Sequence, residues 1–543
     1  MHHAIALPAL QNEPLLDFQK DEVRDSITRE VSRIRREALG GSMSYSIAGV
    51  PRLGGVPHAR ENPSDIRETI GTVGFAPKEA VEEAVARTLR STVARDWARM
   101  SLSARAPYLR RVAQKIRERR YLFIALMMLE VGKQAHRADA EVCEAIDFCE
   151  HYAAYAEFWE HLGGALLRSP RGEKNTVSYR PYGPRVPICA SIQPWNFPLA
   201  IATGPTVAAL VCGHSVILKP AEQSSIIGHF LAEAIYEAGI PPEVFHFLPG
   251  TGEEVGRALV EHEEIAGVSF TGSLAVCRYI EQTLARQNER HRGWRRRAYT
   301  LESGGKNPMI VLPDADLNSV IADADESAFG FQGERCSALS RLLFVDEKGL
   351  RYGEFMERFA ERVRSMPVGS PEDFKNVIGP LVDREAYARV RLYQALAEEE
   401  GKIAARGSVP EAGMGYFVPP VLVHGLAPSA RVAQEEIFGP VLAVFRTDSV
   451  EEAIRLANGS SFALTASIHT NNPEMAARIA REIEAGVVYV NKGTTGAMPG
   501  RQNFGGGKDS GNGAKAGDLT YLLPFLHQTH ISENTMRCGI PME

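Results

Sequence analysis

Between Lys20 and Glu37 the apolar residues Val23, Ile27, Val31 and Ile34 recur every three or four positions in an otherwise charged run. That spacing predicts a helix with one narrow apolar stripe, packed on a larger body. Residues 41–75 are rich in Gly, Pro and Thr and read as strands and turns. Helical periodicity then dominates from Pro77 to about Trp159, in segments at Ala80–Leu89, Ala104–Arg119, Tyr121–Val131 and Ala138–Phe158. From Val177 onward the pattern changes to short apolar runs separated by helices. The runs are Val186–Ile192, Val216–Leu218, Val244–Leu248 and Ile265–Phe270, with helices at about 199–210, Ser224–Ala238 and up to Val260.

Strands alternating with helices at this spacing predict an α/β fold with a doubly wound parallel sheet. In such sheets ligands sit beyond the carboxyl ends of the strands, and Asn196, Lys219, Glu222 and Ser273 all fall just after strands. Tyr299–Lys306 leads into a second α/β region that runs to about Asn491. A glycine-rich tail follows from Gly493 to Gly517 and ends in the apolar run Tyr521–Leu526, which must dock on something; a partner subunit is expected. The apolar window Leu199–Leu218 is long enough to span a bilayer. It contains Thr203, Gly204, Pro205, Gly213 and His214, however, so a buried helix leading into a strand is expected there and no membrane segment.

Composition narrows the class. At 543 residues the chain exceeds a single core, and 44% hydrophobic with 24% charged residues is ordinary for a globular protein. A net charge of −6 argues against broad attraction to nucleic acid or anionic lipid. The arginine-rich stretch Gln287–Arg297 is expected to be a solvated loop. Seven scattered cysteines without a C-x-x-C pair exclude a disulfide framework or zinc site, and point to a reducing, cytoplasmic setting. No metal site is expected. The N-terminus carries neither a secretory nor an organellar signal pattern.

Candidate chemistry centres on Cys336, in Phe329-Gly330-Phe331-Gln332-Gly333-Glu334-Arg335-Cys336-Ser337. Nearby positive charge or backbone N–H groups lower a thiol's pKa, and the thiolate is the nucleophile. Alone, such a cysteine is more often a buried small residue. Five further signals stand in order with it: Pro194-Trp195-Asn196-Phe197-Pro198, Leu218-Lys219-Pro220-Ala221-Glu222, Phe270-Thr271-Gly272-Ser273, Leu301-Glu302-Ser303-Gly304-Gly305-Lys306 and Glu435-Glu436-Ile437-Phe438-Gly439-Pro440. With these motifs the chain resembles the aldehyde dehydrogenase superfamily over roughly residues 50–527.

The resemblance implies two doubly wound parallel-sheet domains plus a small β oligomerisation flap. The implied divisions are an N-terminal arm (1–60), an NAD-binding domain (61–299, with part of the flap near 168–186), a catalytic domain (300–491), and a C-terminal substrate-anchor loop with an oligomerisation tail (492–543). It further implies Cys336 as nucleophile, Asn196 with the Cys336 N–H as oxyanion donors, and Glu302 as the base for thioester hydrolysis. NAD would be held by Lys219 and Glu222 at the adenosine ribose and by Gly272 and Ser273 at the pyrophosphate. Glu436 and Phe438 would hold the nicotinamide ribose, with Ile192, Pro194 and Trp195 lining the cleft. A carboxylate at Glu222 favours NAD over its 2′-phosphorylated form. Cys277 stands where the family usually has glycine.

Asn12-Glu13-Pro14, Arg335-Cys336-Ser337-Ala338, Thr495–Gly506 and Lys515–Leu523 look like the Δ1-pyrroline-5-carboxylate dehydrogenase branch, which oxidises L-glutamate γ-semialdehyde. In this reading the N–H groups of Gly496 and Ala497 with the Ser337 hydroxyl would grip the substrate carboxylate, while Phe197 and Phe504 would line its aliphatic part. A homo-oligomer and a functional link to a proline dehydrogenase are implied as well. Glu334, Arg335 and Leu339 depart from the branch pattern of Gln, Lys and a second Cys. The competing readings are another semialdehyde or aliphatic aldehyde, a CoA-acylating relative, which Glu302 opposes, and an inactive binding protein, which the set Cys336, Glu302 and Asn196 opposes.

Overall fold

The computed structural model describes residues 8–37, 39–52, 55–163, 167, 169–180, 186–290, 298–410 and 414–537. The amino-terminal residues 1–7, the segment 181–185 of the expected flap and residues 291–297 of the arginine-rich stretch lie outside them.

Two seven-stranded sheets form the body. In the first, spatial order runs Ala298–Glu302, Ile265–Thr271, Ile188–Ile192, Ser215–Lys219 and Phe245–Phe247, all parallel, then the antiparallel pair Ser46–Ile47 and Val50–Pro51. These strands are short apolar runs buried on both faces, as a parallel sheet sandwiched between helices requires. The second sheet runs Lys402–Arg406, Val421–His424, Val441–Thr447, Leu339–Val345, Asn307–Val311, Thr465–His469 and Val487–Val490, parallel except at its first strand.

Two expected boundaries move. The 46–51 hairpin, placed in the arm by sequence, extends the first sheet. The 299/300 boundary falls inside the Ala298–Glu302 strand, which pairs with Ile265–Thr271 and so belongs to the first sheet. Gln287 to Arg290 continue the Leu274–Arg290 helix instead of forming a loop.

The expected amphipathic helix is Asp21–Glu37, and its four stripe residues are buried. The helices Leu102–Glu118, Arg120–Glu130 and Ala135–Gly163 form a layer over the first sheet. Among the described residues no helix is long and apolar enough to cross a membrane. A two-stranded flap pairs Glu173–Arg180 with His527–Asn534.

The apolar run expected to seek a partner docks on its own chain. Tyr521, Leu522, Phe525 and Leu526 are buried. Tyr521 stacks on Tyr152 at 5.6 Å between centroids, and the Phe525 carbonyl meets the buried His214 ring at 2.9 Å. A chain that reaches back over the first sheet covers its own apolar side chains, so no second subunit is needed for this stretch.

Candidate active site

Parallel register sets one edge of the site. Ile192 lies opposite Lys219 and Phe270, and Phe270 opposite Leu301, so Lys219, Ile192, Phe270 and Leu301 form a row at the carboxyl ends of the first sheet, with Glu302 one residue beyond it. Just beyond the end of Ile188–Ile192, the Pro194–Pro198 turn carries Asn196. This turn is fixed from below by the buried Lys133, whose ammonium donates to the Asn196 carbonyl at 2.5 Å, pairs with Glu141, and lies 4.0 Å from the Phe197 ring centroid. Glu141 in turn accepts from Leu199 N (2.8 Å) and Ala200 N (3.2 Å) at the start of the Ala200–Val211 helix.

The opposite wall is the turn bearing Cys336. Phe331 (φ 51°), Gln332 (φ 44°) and Gly333 (φ 72°) are three consecutive left-handed residues, costly for side chains with a Cβ and kept only where surroundings dictate it. Gln332 is fully buried; its amide donates to Pro380 O (2.6 Å) and its carbonyl accepts from Gly379 N (3.2 Å). Glu334, in place of the branch glutamine, is buried too and accepts from Val382 N. The two walls meet where Asn196 Nδ2 donates to the Glu334 carbonyl at 3.2 Å. An amide nitrogen has two protons, so this contact orients Asn196 and leaves one N–H to give.

The Cys336 thiol is pushed up to about 12, by burial first and then by the carboxylates of Glu436 and Glu302, with the Ser337 and Cys336 N–H groups opposing. The Arg335 guanidinium pairs with Glu326, which also holds Arg137, so its charge acts more on Glu326 than on the neighbouring thiol. The expectation that an adjacent arginine activates the thiol is corrected: the side chain points to a different partner.

Glu302 is held at one oxygen by Gly506 N (3.3 Å), while Oε1 is buried with no partner among the described residues. Burial raises its pKa well above the ordinary carboxylate value, opposed by Gly506 and Lys515. Beyond it, Gly304 and Gly305 are obligatory: a Cβ at Gly304 would run into the Glu436 carboxylate, and one at Gly305 into the Cys336 carbonyl. Glu436 accepts from Gly305 N at 2.9 Å, and burial lifts its pKa to about 7. Phe438 takes φ 56° and meets Trp195 edge-on at 5.6 Å.

On the expected cofactor side, the buried Lys219 ammonium contacts Pro220 O (3.1 Å) and Glu222 Oε1 (3.5 Å), and that oxygen also accepts from Gly252 N (2.6 Å). Gly272 and the exposed Ser273 immediately precede the Leu274–Arg290 helix. Cys277 sits in its first turn with Sγ 3.6 Å from the Glu302 carbonyl, packed and inert, its thiol pushed up to about 12 by burial.

Thr494 links the second group of expected residues. Its hydroxyl donates to Ser337 O at 2.8 Å, and its N–H donates to Ser327 Oγ at 3.0 Å. Ser337 and the Gly496-Ala497 loop are therefore neighbours. Gly496 has φ 88° and open space around it, and the N–H groups of Gly496 and Ala497 donate to no described residue. Phe504 bridges to Ala516 below them.

Sequence reasoning missed Thr494, Lys133 and Glu144. Glu144 forms no hydrogen bond or ion pair among the described residues; burial, then Glu141, raise its pKa to about 8. Its charge, like that of Cys336, acts on the buried Tyr489. The signal was available in Asp139, Glu141, Glu144 and Asp147, four acids within nine residues of the Ala135–Gly163 helix.

The aldehyde dehydrogenase family profile matches residues 57–531. A 1-pyrroline-5-carboxylate dehydrogenase of Geobacillus sp. (strain WCH70) is 35% identical over 525 residues, 96% of this chain and 99% of that protein. The structure of 1-pyrroline-5-carboxylate dehydrogenase from Thermus with bound NAD superposes with a TM-score of 0.91 at 36% identity, covering 97% of this chain and 99% of that one. Proline utilization A from Bdellovibrio bacteriovorus gives 0.92 at 36% identity, over 98% of this chain but 54% of that one, so this chain spans about half its length.

Proposed function

The chain belongs to the aldehyde dehydrogenase family, and from that premise we propose that it oxidises L-glutamate γ-semialdehyde to L-glutamate with NAD, the second step of proline breakdown. The observation that supports the substrate is the Thr494 hydrogen bond to Ser337 O, which ties Ser337 to the loop of Gly496 and Ala497, whose N–H groups donate to no described residue. Successive unpaired backbone amides can form an anion cradle. An uncharged aldehyde would need no such cradle.

The donor set fits NAD. Glu222 and Lys219 present a carboxylate and an incompletely paired ammonium for a ribose diol, Ser273 opens a helix N-terminus suited to pyrophosphate, and Glu436 with Phe438 stands between that edge and Cys336. Bound there, NAD supplies the hydride acceptor.

In this chain the Cys336 sulfur, once deprotonated, attacks the aldehyde carbon. The resulting oxyanion is met by the Cys336 N–H and the free N–H of Asn196, a type of contact worth about 10²–10³ in rate. After hydride loss a thioester remains on Cys336. Glu302, packed against Gly505 and Gly506, takes a proton from water as it attacks. Lys133 does not touch substrate; it holds Asn196 in place.

Similarity to half of a protein named proline utilization A supports a link to a proline dehydrogenase that would supply the substrate, and the Glu173–Arg180 and His527–Asn534 flap is proposed as a homo-oligomer contact. The test is NADH production from a panel of aldehydes with wild type and Cys336→Ala. Glutamate semialdehyde should be strongly preferred to propanal, and Cys336→Ala should lose activity. Equal turnover of both aldehydes would reject the substrate, and an active Cys336→Ala would reject the mechanism.

A further inference from the structure

The Asn12-Glu13-Pro14 segment lies almost five hundred residues in sequence from the loop that carries Gly496 and Ala497, yet the two touch. Asn12 Nδ2 donates to the Pro499 carbonyl at 3.0 Å and to Asp147 Oδ2 at 2.8 Å. The other Asp147 oxygen accepts from Glu13 N at 2.7 Å. Asp147 lies on the Ala135–Gly163 helix and is 3% exposed. Leu10 and the buried His151 ring close on Gly500, where a Cβ would come within 3.0 Å of the ring; Gly500 also needs φ 74°. The arm is pinned further along by Arg120 to Pro14 O (2.9 Å), by Arg117 to Glu13 (3.0 Å) and by Leu16 N to Asp139 (2.8 Å).

These pins matter because a cavity separates part of the arm from the body. A cavity of about 420 Å3 opens between residues 9–14 and the helices bearing Arg117 and His151. Directional hydrogen bonds, together with Leu10 and Leu16 packed on the core, hold the arm over the loop. The loop itself is fastened at two places: Thr494 to Ser327 and Ser337 at one end, Pro499 O to Asn12 with Gly500 N to Gly517 O (3.1 Å) at the other. Residues 495–498, including the two unpaired N–H donors, are strung between them.

We infer that the N-terminal arm, through Asn12, is a positioning element for the anion-binding loop and thereby sets selectivity for a carboxylate-bearing aldehyde. This rests on the substrate reading above. Asn12 touches neither the reacting atoms nor the proposed cofactor groups; it fixes the far end of the loop that carries the Gly496 and Ala497 N–H groups. Misplacing such donors by a fraction of an ångström weakens binding of the anion while leaving the thiol chemistry intact.

The test is steady-state kinetics of Asn12→Ala and Asn12→Asp with glutamate semialdehyde and with propanal, alongside hydrogen exchange of the peptide covering 493–504. Asn12→Asp keeps the shape but removes the donor and sets a second carboxylate beside Asp147. Both variants should raise KM for the semialdehyde about tenfold, keep its kcat within about twofold, leave propanal and NAD kinetics unchanged, and exchange faster across 495–500. Equal losses on both aldehydes, or unchanged exchange in the loop, would overturn the inference by showing a general structural role or no coupling. If wild type prefers the semialdehyde and both variants keep that preference, this inference alone fails. If wild type shows no preference, the substrate reading fails and takes this one with it.

Discussion

At the scale of single residues, the proposed nucleophile Cys336 gains little from the arginine beside it in sequence. Arg335 is adjacent in the chain but commits its charge to Glu326, whereas Glu436 and Glu302, distant in the chain, add to the burial that opposes ionisation of Cys336. A thiol pushed up to about 12 reacts through a small thiolate fraction that grows tenfold per pH unit below that value. Alkylation of Cys336 by iodoacetamide, followed by mass spectrometry in cofactor-free enzyme, should therefore be slow at pH 7 and still rising with pH at 9. A rate already level at pH 7 would contradict this. Cys336, Asn196, Glu302 and Glu436 were legible as candidates because their motifs are local. Thr494 was not, because its partners Ser337 and Ser327 lie far away in sequence.

Among the elements, two helices that border the first sheet begin on carboxylates borrowed from elsewhere. Glu141 receives Leu199 N and Ala200 N, and Glu130 receives Ile226 N and Ile227 N, each at 2.9 Å, at the start of Ser225–Glu237. Local sequence offers no side-chain cap at either start, so remote carboxylates satisfy the orphan N–H groups. Burial is the larger effect on Glu130 and lifts its pKa to about 7. A carboxyl with a raised folded pKa keeps its proton while the unfolded chain has lost it, so its contribution to stability is full below pH 4.5, falls between 4.5 and 7, and is flat above. Glu130→Gln should flatten that window, which carries on the order of 3 kcal/mol. Denaturant melts of both proteins at pH 5 and pH 8 measure it, and an unchanged pH slope in Glu130→Gln would refute the assignment. The helices themselves were readable from periodicity to within a few residues. Their caps were not, since the pattern holds no record of which distant carboxylate arrives.

For the whole molecule, the carboxyl-terminal run closes the chain back onto its first sheet. Leu522 is fully buried, and its carbonyl lies 3.7 Å from Cys212 Sγ. Leu522→Ala should cost about 2–5 kcal/mol as a cavity in a packed interior, read from a urea melt, with the oligomer size by light scattering unchanged. Dissociation without loss of stability would restore the partner-subunit reading of this stretch. The sequence by itself determined the alternating α/β order, the two parallel sheets and the ordered motifs, because periodicity and turn chemistry act over a few residues. Tertiary structure alone decided where Arg335 directs its charge, what covers the apolar tail, and how Asn12 comes to hold Pro499. Those outcomes depend on which distant surfaces meet, and burial then sets the strength of every charge and hydrogen bond found there.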